Sequence, residues 1–358
     1  MNQGLSLCMM AGRGHCFNSI RTGFIDFMNR IMMVDSNNRK INYLRLSITD
    51  RCNLRCMYCM PEEGIEFLPH ENILSYEEIL RIVRLATYRG IRKVRLTGGE
   101  PLVRKGFTDF LKSMSKIEGL EEISITTNGV LLKQYAAEIK ACGVNRLNIS
   151  LDSLKPEKFK RITGRDYFHQ VWEGIQEAER LGFSPIKLNV VAIKGVNDDE
   201  IEDLGRLTLE KPYHIRFIEH MPIGGNNWDS EKFLSILEIY NRLQNVGTLV
   251  SIERRNSLDG PAQRYKIENA KGEIGLIGAL SNHFCAVCNR LRLTADGHLR
   301  SCLFSETEID AMPLLREGKS DEEIIALIEK AIHEKPERHN LKNQGQRSCT
   351  RQMSSIGG

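Results

Sequence analysis

From Tyr43 onward, short β-branched runs alternate with stretches whose apolar residues recur at helical spacing, the pattern of βα units around a parallel sheet. Residues 42–49 read as a strand. After a cysteine-bearing loop, Ser75, Tyr76, Glu77 and Glu78 open a helix through a capping box; Ile79, Ile82, Val83 and Ala86 share one face, and Gly90 ends it. Strands over 93–97, 123–127, 146–151, 186–193 and 215–220 then alternate with helices over 107–116, 131–142, 168–181 and 198–209. These six βα-type units fall short of the eight that close a barrel, so the predicted fold is α/β, an incomplete (βα)6 TIM-type barrel.

Past about residue 245 the pattern changes to shorter strands separated by turns at Asp259-Gly260-Pro261, Lys271-Gly272 and Asp296-Gly297, which predicts a separate C-terminal layer. A helix returns over 321–333, and the polar tail from 335 to 358 reads as mobile. The expected division is an N-terminal extension over 1–40, a partial barrel over 41–245, a C-terminal domain over 246–334 and the tail over 335–358. The extension carries Arg13, Arg21 and Arg30 against Asp26 and lacks the apolar run of a secretory signal. It resembles a weak transit peptide or an upstream mis-start. The mis-start is favoured because Met32 and Met33 immediately precede the first sensible domain residue.

Composition adds limits. Charged residues at 27% and hydrophobic ones at 41% describe a globular chain with a sizeable core, and no run approaches the ~18–20 apolar residues of a membrane span. A net charge of +4 does not by itself argue for nucleic acid, so any anion site must be local. Neither a nucleic-acid nor a membrane partner is predicted. The clustering of the cysteines reads as metal ligation in a reducing compartment rather than as disulfides.

Cys52, Cys56 and Cys59 supply three thiolates immediately after a strand, where the loops of βα folds carry chemistry. On a cubane they would leave one of four irons without a protein ligand; a structural zinc borrowing a fourth ligand elsewhere is the competing reading. Cys285, Cys288 and Cys302 form a second set of three. His283 or Cys349 closing that set would make it a structural zinc or an electron relay, whereas Arg290 and Arg292, sent to one side by strand alternation, favour an open site beside a polyanion. Lys93, Arg95, Lys187 and Arg216 lie on strands that a barrel buries on both faces, so these charges imply a polar cavity rather than a solvated surface.

The CxxxCxxC spacing, with Gly98-Gly99-Glu100-Pro101 at the end of the second strand, resembles the radical SAM enzymes. The resemblance implies that Cys52, Cys56 and Cys59 hold a 4Fe-4S cluster whose open iron chelates S-adenosyl-L-methionine (SAM), cleaved to a 5′-deoxyadenosyl radical. By the same resemblance Gly99, Glu100 and Ser150 contact the methionyl group, while Tyr58 and Met221 flank adenine. Without it, Gly98-Gly99-Glu100-Pro101 would be only a strand-ending turn and Met221 plain core packing. Together with the second set, Asn289-Arg290-Leu291-Arg292 and the Gly357-Gly358 pair, the motifs closely match the GTP 3′,8-cyclases of molybdenum cofactor biosynthesis, the MoaA family, from about Tyr43 onward.

That likeness implies two 4Fe-4S clusters, the second on Cys285, Cys288 and Cys302 and offering its open iron to the guanine of GTP. Arg45, Lys93, Arg95, Thr126, Lys187, Arg216, Arg290, Leu291 and Arg292 are the implied GTP contacts, and Arg290 and Arg292 are grouped with the first three cysteines as catalytic. The implied reaction removes the 3′ hydrogen of GTP, joins C3′ to C8 of guanine and reduces the purine radical. The family's glycine-ended tail reaches into the active site, against the mobile tail that composition alone predicts. A flavodoxin- or ferredoxin-like electron donor, the downstream cyclic pyranopterin monophosphate synthase, a homodimer and a cytoplasmic location complete the expectation, with a mitochondrial one only if the extension is a genuine transit peptide. A peptide-modifying radical SAM maturase and a zinc-containing nucleic-acid-binding module are the alternatives; iron and sulfide analysis separates the second, and its affinity would fall steeply with salt.

Overall fold

The computed structural model describes residues 33–61, 64–224, 228–253, 260–339, 349 and 351–357. Residues 1–32, on which the mis-start reading falls, lie outside the described residues. The predicted alternation is present as β1 (Tyr43–Ser47), α1 (Tyr76–Tyr88), β2 (Lys93–Thr97), α2 (Phe107–Met114), β3 (Glu122–Thr127), α3 (Leu132–Ala141), β4 (Leu147–Ser150), α4 (Pro156–Thr163), α5 (Phe168–Arg180), β5 (Ile186–Ala192), α6 (Ile201–Glu210) and β6 (His214–Glu219). Ser75 and Glu78 form the expected capping box at α1. Two helices of eight residues, α4 and, beyond β6, α7 (Ile236–Leu243), had no predicted counterpart; each is too short to carry a decisive period.

The later elements are β7 (Leu249–Ile252), β8 (Gln263–Ile267), β9 (Glu273–Ile277), β10 (Arg290–Leu293), β11 (His298–Arg300), β12 (Ile309–Asp310), α8 (Met312–Arg316), α9 (Asp321–His333) and α10 (Met353–Ile356). They do not form a separate layer. One sheet runs β12-β11-β10-β1-β2-β3-β4-β5-β6-β9-β8-β7. β10 joins β1 and β9 joins β6, both parallel, so the six barrel strands gain a parallel neighbour at each edge before antiparallel strands continue outward. β9 and β10 do not pair with each other, and the barrel stays open between them. Local patterning misses this because parallel partners are remote in sequence.

The sheet sorts side chains by alternation. On β2, Val94 and Leu96 enter the apolar core with Ile79, Val83 and Leu111 of α1 and α2, while Lys93, Arg95 and Thr97 point to the other face and are also buried. Burial on both faces turns the second face into a wall of an enclosed polar space, as the strand charges implied. Among the described residues no helix is long and apolar enough to cross a membrane.

Candidate active site

Both cysteine sets face one cavity of about 290 Å³ whose wall runs along the parallel strands, on β2 from Lys93 to Thr97. The loop after β1 carries Cys52, Cys56 and Cys59 and is pinned to α4 by the N–H of Arg55 on the Thr163 carbonyl (2.8 Å) and that of Met57 on the Ile162 carbonyl (3.0 Å). The turn after β2 locks against its other side, with the N–H of Gly99 on Thr49 (2.7 Å) and that of Glu100 on Arg51 (2.8 Å). A Cβ at residue 99 would collide with the Arg51 carbonyl and come within 2.7 Å of that of Asp50, so this close approach requires glycine.

Glu100 sits inside the turn. Its carboxylate is buried and accepts from the Leu102 N–H (3.1 Å), the Thr127 hydroxyl (2.7 Å) and the Asn128 N–H (2.6 Å). Burial pushes its pKa up to about 7, against the pull of those three bonds. It does not line the cavity; it braces the turn that does. Asn128, which the motif reading missed, donates to Asn53 (2.7 Å) and to the Cys52 sulfur (3.7 Å), and the Leu54 N–H also reaches that sulfur (3.4 Å).

Gly99, Ser150, Tyr58 and Met221 line the cavity. The Tyr58 hydroxyl donates to Asp152 (2.6 Å), whose other oxygen accepts from the Val191 N–H (2.8 Å); burial raises Asp152 to about 6 despite both bonds. Asp152 is a second group that sequence did not flag. Met221 does two jobs, since it also packs on the small cluster of Ile223, Cys349 and Ile356. Burial raises all three thiols, Cys52 to about 11, with Glu100 raising Cys52 further, and Asp152 and the neighbouring cysteines raising Cys56 and Cys59.

Across the cavity the electrostatics reverse. Pairing of β1 with β10 on one side and β2 on the other puts Arg292, Arg45 and Arg95 in one row and Arg290, Tyr43 and Lys93 in the next, all on the cavity face. Leu291, expected among the GTP contacts, faces the opposite way with Leu44 and Val94, and its side chain is buried in the core and does not line the cavity. Thr126, Lys187 and Arg216 line the wall from β3, β5 and β6. Arg146 and Lys335, neither anticipated, bring the cations to nine, against the two carboxylates of Asp152 and Glu219. Glu219 is itself committed to the N–H groups of Ile236 (3.1 Å), Leu280 (2.8 Å) and Ser281 (3.0 Å).

Some of the wall is internally held: Lys93 pairs with Glu122 (2.9 Å), as does Arg146 (2.9 Å), Arg95 donates to Ser124 (3.2 Å) and Arg216 to Asn148 (2.9 Å). Burial first, and repulsion from neighbouring cations after it, brings Lys187 to about 6, Arg216 to about 9 and Arg292 to about 10, with Arg45 also well below its ordinary value. Burial alone would raise the Cys288 thiol, but Arg290 and Lys335 outweigh it and bring it to about 6.

Cys285 opens a single 3-10 turn that Cys288 caps, and Cys302 follows β11; all three line the cavity. Cys349 does not: its thiol is fully buried beside Arg300 (3.3 Å), which removes it as a closing ligand. His283 does line the cavity, its ring edge-on to His339. Part of the tail packs against the barrel, while residues 340–348, 350 and 358 lie outside the described residues. Met353 and Ser354 line the cavity, and Lys335 sends its ammonium to the carbonyls of Arg290 (2.9 Å) and Ser301. Composition could not reveal this, because the partners are carbonyls remote in sequence.

A model of the Radical SAM superfamily matches residues 46–208, and a Molybdenum Cofactor Synthesis C model matches 213–341. The chain is 51% identical over 331 residues to the GTP 3′,8-cyclase of Thermodesulfovibrio yellowstonii, and 50% identical over 327 to that of Desulforamulus reducens; each match spans 91% of this chain and 100% of the relative. Among solved structures, Streptococcus suis SuiB bound to S-adenosylmethionine aligns with a TM-score of 0.54 at 16% identity, over 87% of this chain and 72% of that one. SuiB bound to its precursor peptide SuiA aligns with 0.57 at 14%, over 92% and 75%. These two likenesses concern the fold.

Proposed function

From the chain's membership of the GTP 3′,8-cyclase family of radical SAM proteins, we propose that it is a lyase converting GTP to (8S)-3′,8-cyclo-7,8-dihydroguanosine 5′-triphosphate, the first step of molybdenum cofactor biosynthesis. The observation that carries the proposal is a single cavity whose wall holds two three-thiol sets and an excess of buried cations. A nucleotide triphosphate supplies the negative charge such a wall lacks.

The donor chemistry fits the cofactors. No three His, Cys, Asp or Glu side chains among the described residues are grouped for a single metal ion, whereas each thiolate of a cubane bonds its own iron and can stand farther from its neighbours. On Cys52, the Leu54 and Asn128 N–H groups are donors suited to a thiolate; at Cys288 the Arg290 and Lys335 charges already favour one. Cys52, Cys56 and Cys59 would hold the SAM-binding 4Fe-4S cluster, and Cys285, Cys288 and Cys302 a second. When bound, the first cluster and SAM supply a 5′-deoxyadenosyl radical able to take the 3′ hydrogen of GTP.

The chain's own residues position and shield. Gly99 and Ser150 border the methionyl end of SAM, with Glu100 acting through the turn it braces, and Tyr58 and Met221 border the adenine. Arg45, Arg95, Lys187, Arg216, Arg290 and Arg292 bind the polyphosphate, Thr126 adds a neutral contact, and Lys93 is partly neutralised by Glu122. Residues 353 and 354 cover the wall and exclude water. A flavodoxin- or ferredoxin-like donor supplies one electron for SAM cleavage and one, with a proton, for the cyclised purine radical. The cyclic pyranopterin monophosphate synthase takes the product, and the enzyme works as a cytoplasmic homodimer.

The test is anaerobic turnover of reconstituted protein with SAM, GTP and a reductant. The expected products are 5′-deoxyadenosine and a cyclised nucleotide in equal amounts. Formation of 5′-deoxyadenosine at a rate that GTP does not change would overturn the substrate assignment.

A further inference from the structure

A guanidinium outside both cysteine motifs ties the second set together. Arg39 is 8% exposed, in a short turn closed by the antiparallel bridge between Val34 and Lys40. Its Nε donates to Asp35 Oδ2 (2.6 Å), Nη1 to the carbonyls of Cys285 (2.8 Å) and Glu337 (2.9 Å), and Nη2 to those of Pro336 (2.7 Å) and Lys335 (3.5 Å). The planar fork of an arginine can serve so many acceptors from three chain segments; a lysine ammonium cannot. Asp35 offsets the buried charge and is itself fixed, its Oδ1 accepting from the N–H groups of Asn37 (2.9 Å) and Arg39 (3.0 Å). The guanidinium is thus oriented by its own turn before it reaches the other two segments.

The line continues through Lys335. Its carbonyl rests on Arg39, while its ammonium donates to the carbonyls of Arg290, two residues after Cys288, and Ser301, one before Cys302. Arg39 therefore touches the first cysteine of the set directly and the neighbours of the other two through one intermediary. It does not line the cavity and cannot touch a ligand there.

We propose that Arg39 is a positioning residue that fixes the Cys285 loop relative to Cys288 and Cys302 and so governs capture of the second cluster; this rests on the reading that those three thiols hold one. Wild type, Arg39→Ala and Arg39→Lys are compared in iron content, in the electron paramagnetic resonance of the reduced proteins with and without SAM, and in alkylation of individual cysteines in the metal-free proteins by iodoacetamide. Wild type should carry about eight irons, two cubanes of four, and Arg39→Ala about four with the SAM-responsive signal kept. In the metal-free variant, Cys285 should be alkylated about tenfold faster while Cys52 is unchanged, because the lost hydrogen bonds run to the Cys285 loop and segment 335–337 and none runs to the loop that carries Cys52. Arg39→Lys should fall between and decides the matter if Arg39→Ala does not fold. Unchanged iron and unchanged Cys285 reactivity would overturn the proposal. Equal loss of both clusters with Cys52 also accelerated would overturn it too, making Arg39 a general staple of the fold. Wild type with only about four irons would refute the second cluster instead, and the alkylation arm would still report on Arg39.

Discussion

Arg292 donates from Nη1 to the carbonyl of Gly357 at 2.7 Å, joining a substrate-side cation of β10 to the segment 351–357. The contact is specific to both partners. Gly357 has φ +73°, and a Cβ there would run into the Thr97 hydroxyl. Arg292 also reaches the Ile356 carbonyl (3.3 Å), so one guanidinium holds the segment while its charge remains available to the cavity.

Arg292→Lys keeps the charge and loses the fork, so KM for GTP should rise about tenfold, the loss of roughly one charge-assisted hydrogen bond. Gly357→Ala leaves the cation intact and disturbs only the seat of the segment. Steady-state kinetics distinguishes the two contributions: a KM unchanged in both variants would show that this contact has no part in substrate binding.

What could be read from sequence was whatever repeats locally. The β2 alternation of Lys93, Val94, Arg95 and Leu96 announced both a core face and a charged cavity face, and the structure has both. For Glu100, the position at a strand end was legible while its partners Thr127 and Asn128, at and just past the neighbouring strand's end, were not. The same limit hid the parallel pairing of β10 with β1, and it hid Arg39 and Lys335. Both of the latter look like ordinary surface cations until remote carbonyls are brought to them.

Lys187 gives a pH signature. Burial, then Arg216, Arg95, Lys93 and Arg146, bring it to about 6, so near pH 8 the ligand-free enzyme holds it mostly neutral. A bound polyphosphate raises that pKa, and binding then takes up a proton. Nucleotide affinity should therefore weaken as pH rises above about 6, by up to about tenfold per unit until the bound pKa is passed. The γ-phosphate's own ionisation acts in the opposite direction, so the comparison is with Lys187→Met, which keeps that ionisation and lacks the lysine proton. Calorimetry in buffers of different ionisation enthalpy should show uptake at pH 8 in wild type that is reduced in the variant; equal uptake in both would exclude Lys187 as its source.

Glu308 carries two arginines at once. One oxygen meets Arg300, whose side chain is wholly buried, and the other meets Arg351, which also binds Asp296. Removing the acid strands the Arg300 charge, since its remaining contacts are the carbonyls of Leu303 and Ser305 and the Cys349 sulfur. Breaking a buried pair from one side costs about 3–5 kcal/mol. In a chain of this size Glu308→Ala should lower Tm by roughly 5–10 °C. Arg351→Ala removes a partly exposed side chain and leaves the Arg300 pair intact, so Tm should move by only about 2 °C. Its effect should instead be local, with faster hydrogen exchange in 353–356 and a higher KM for GTP. If Glu308→Ala melts like wild type, the buried pair is not what holds this corner, and seating of the segment rests on its other contacts, Arg351 with Asp296 and Arg292 with Gly357.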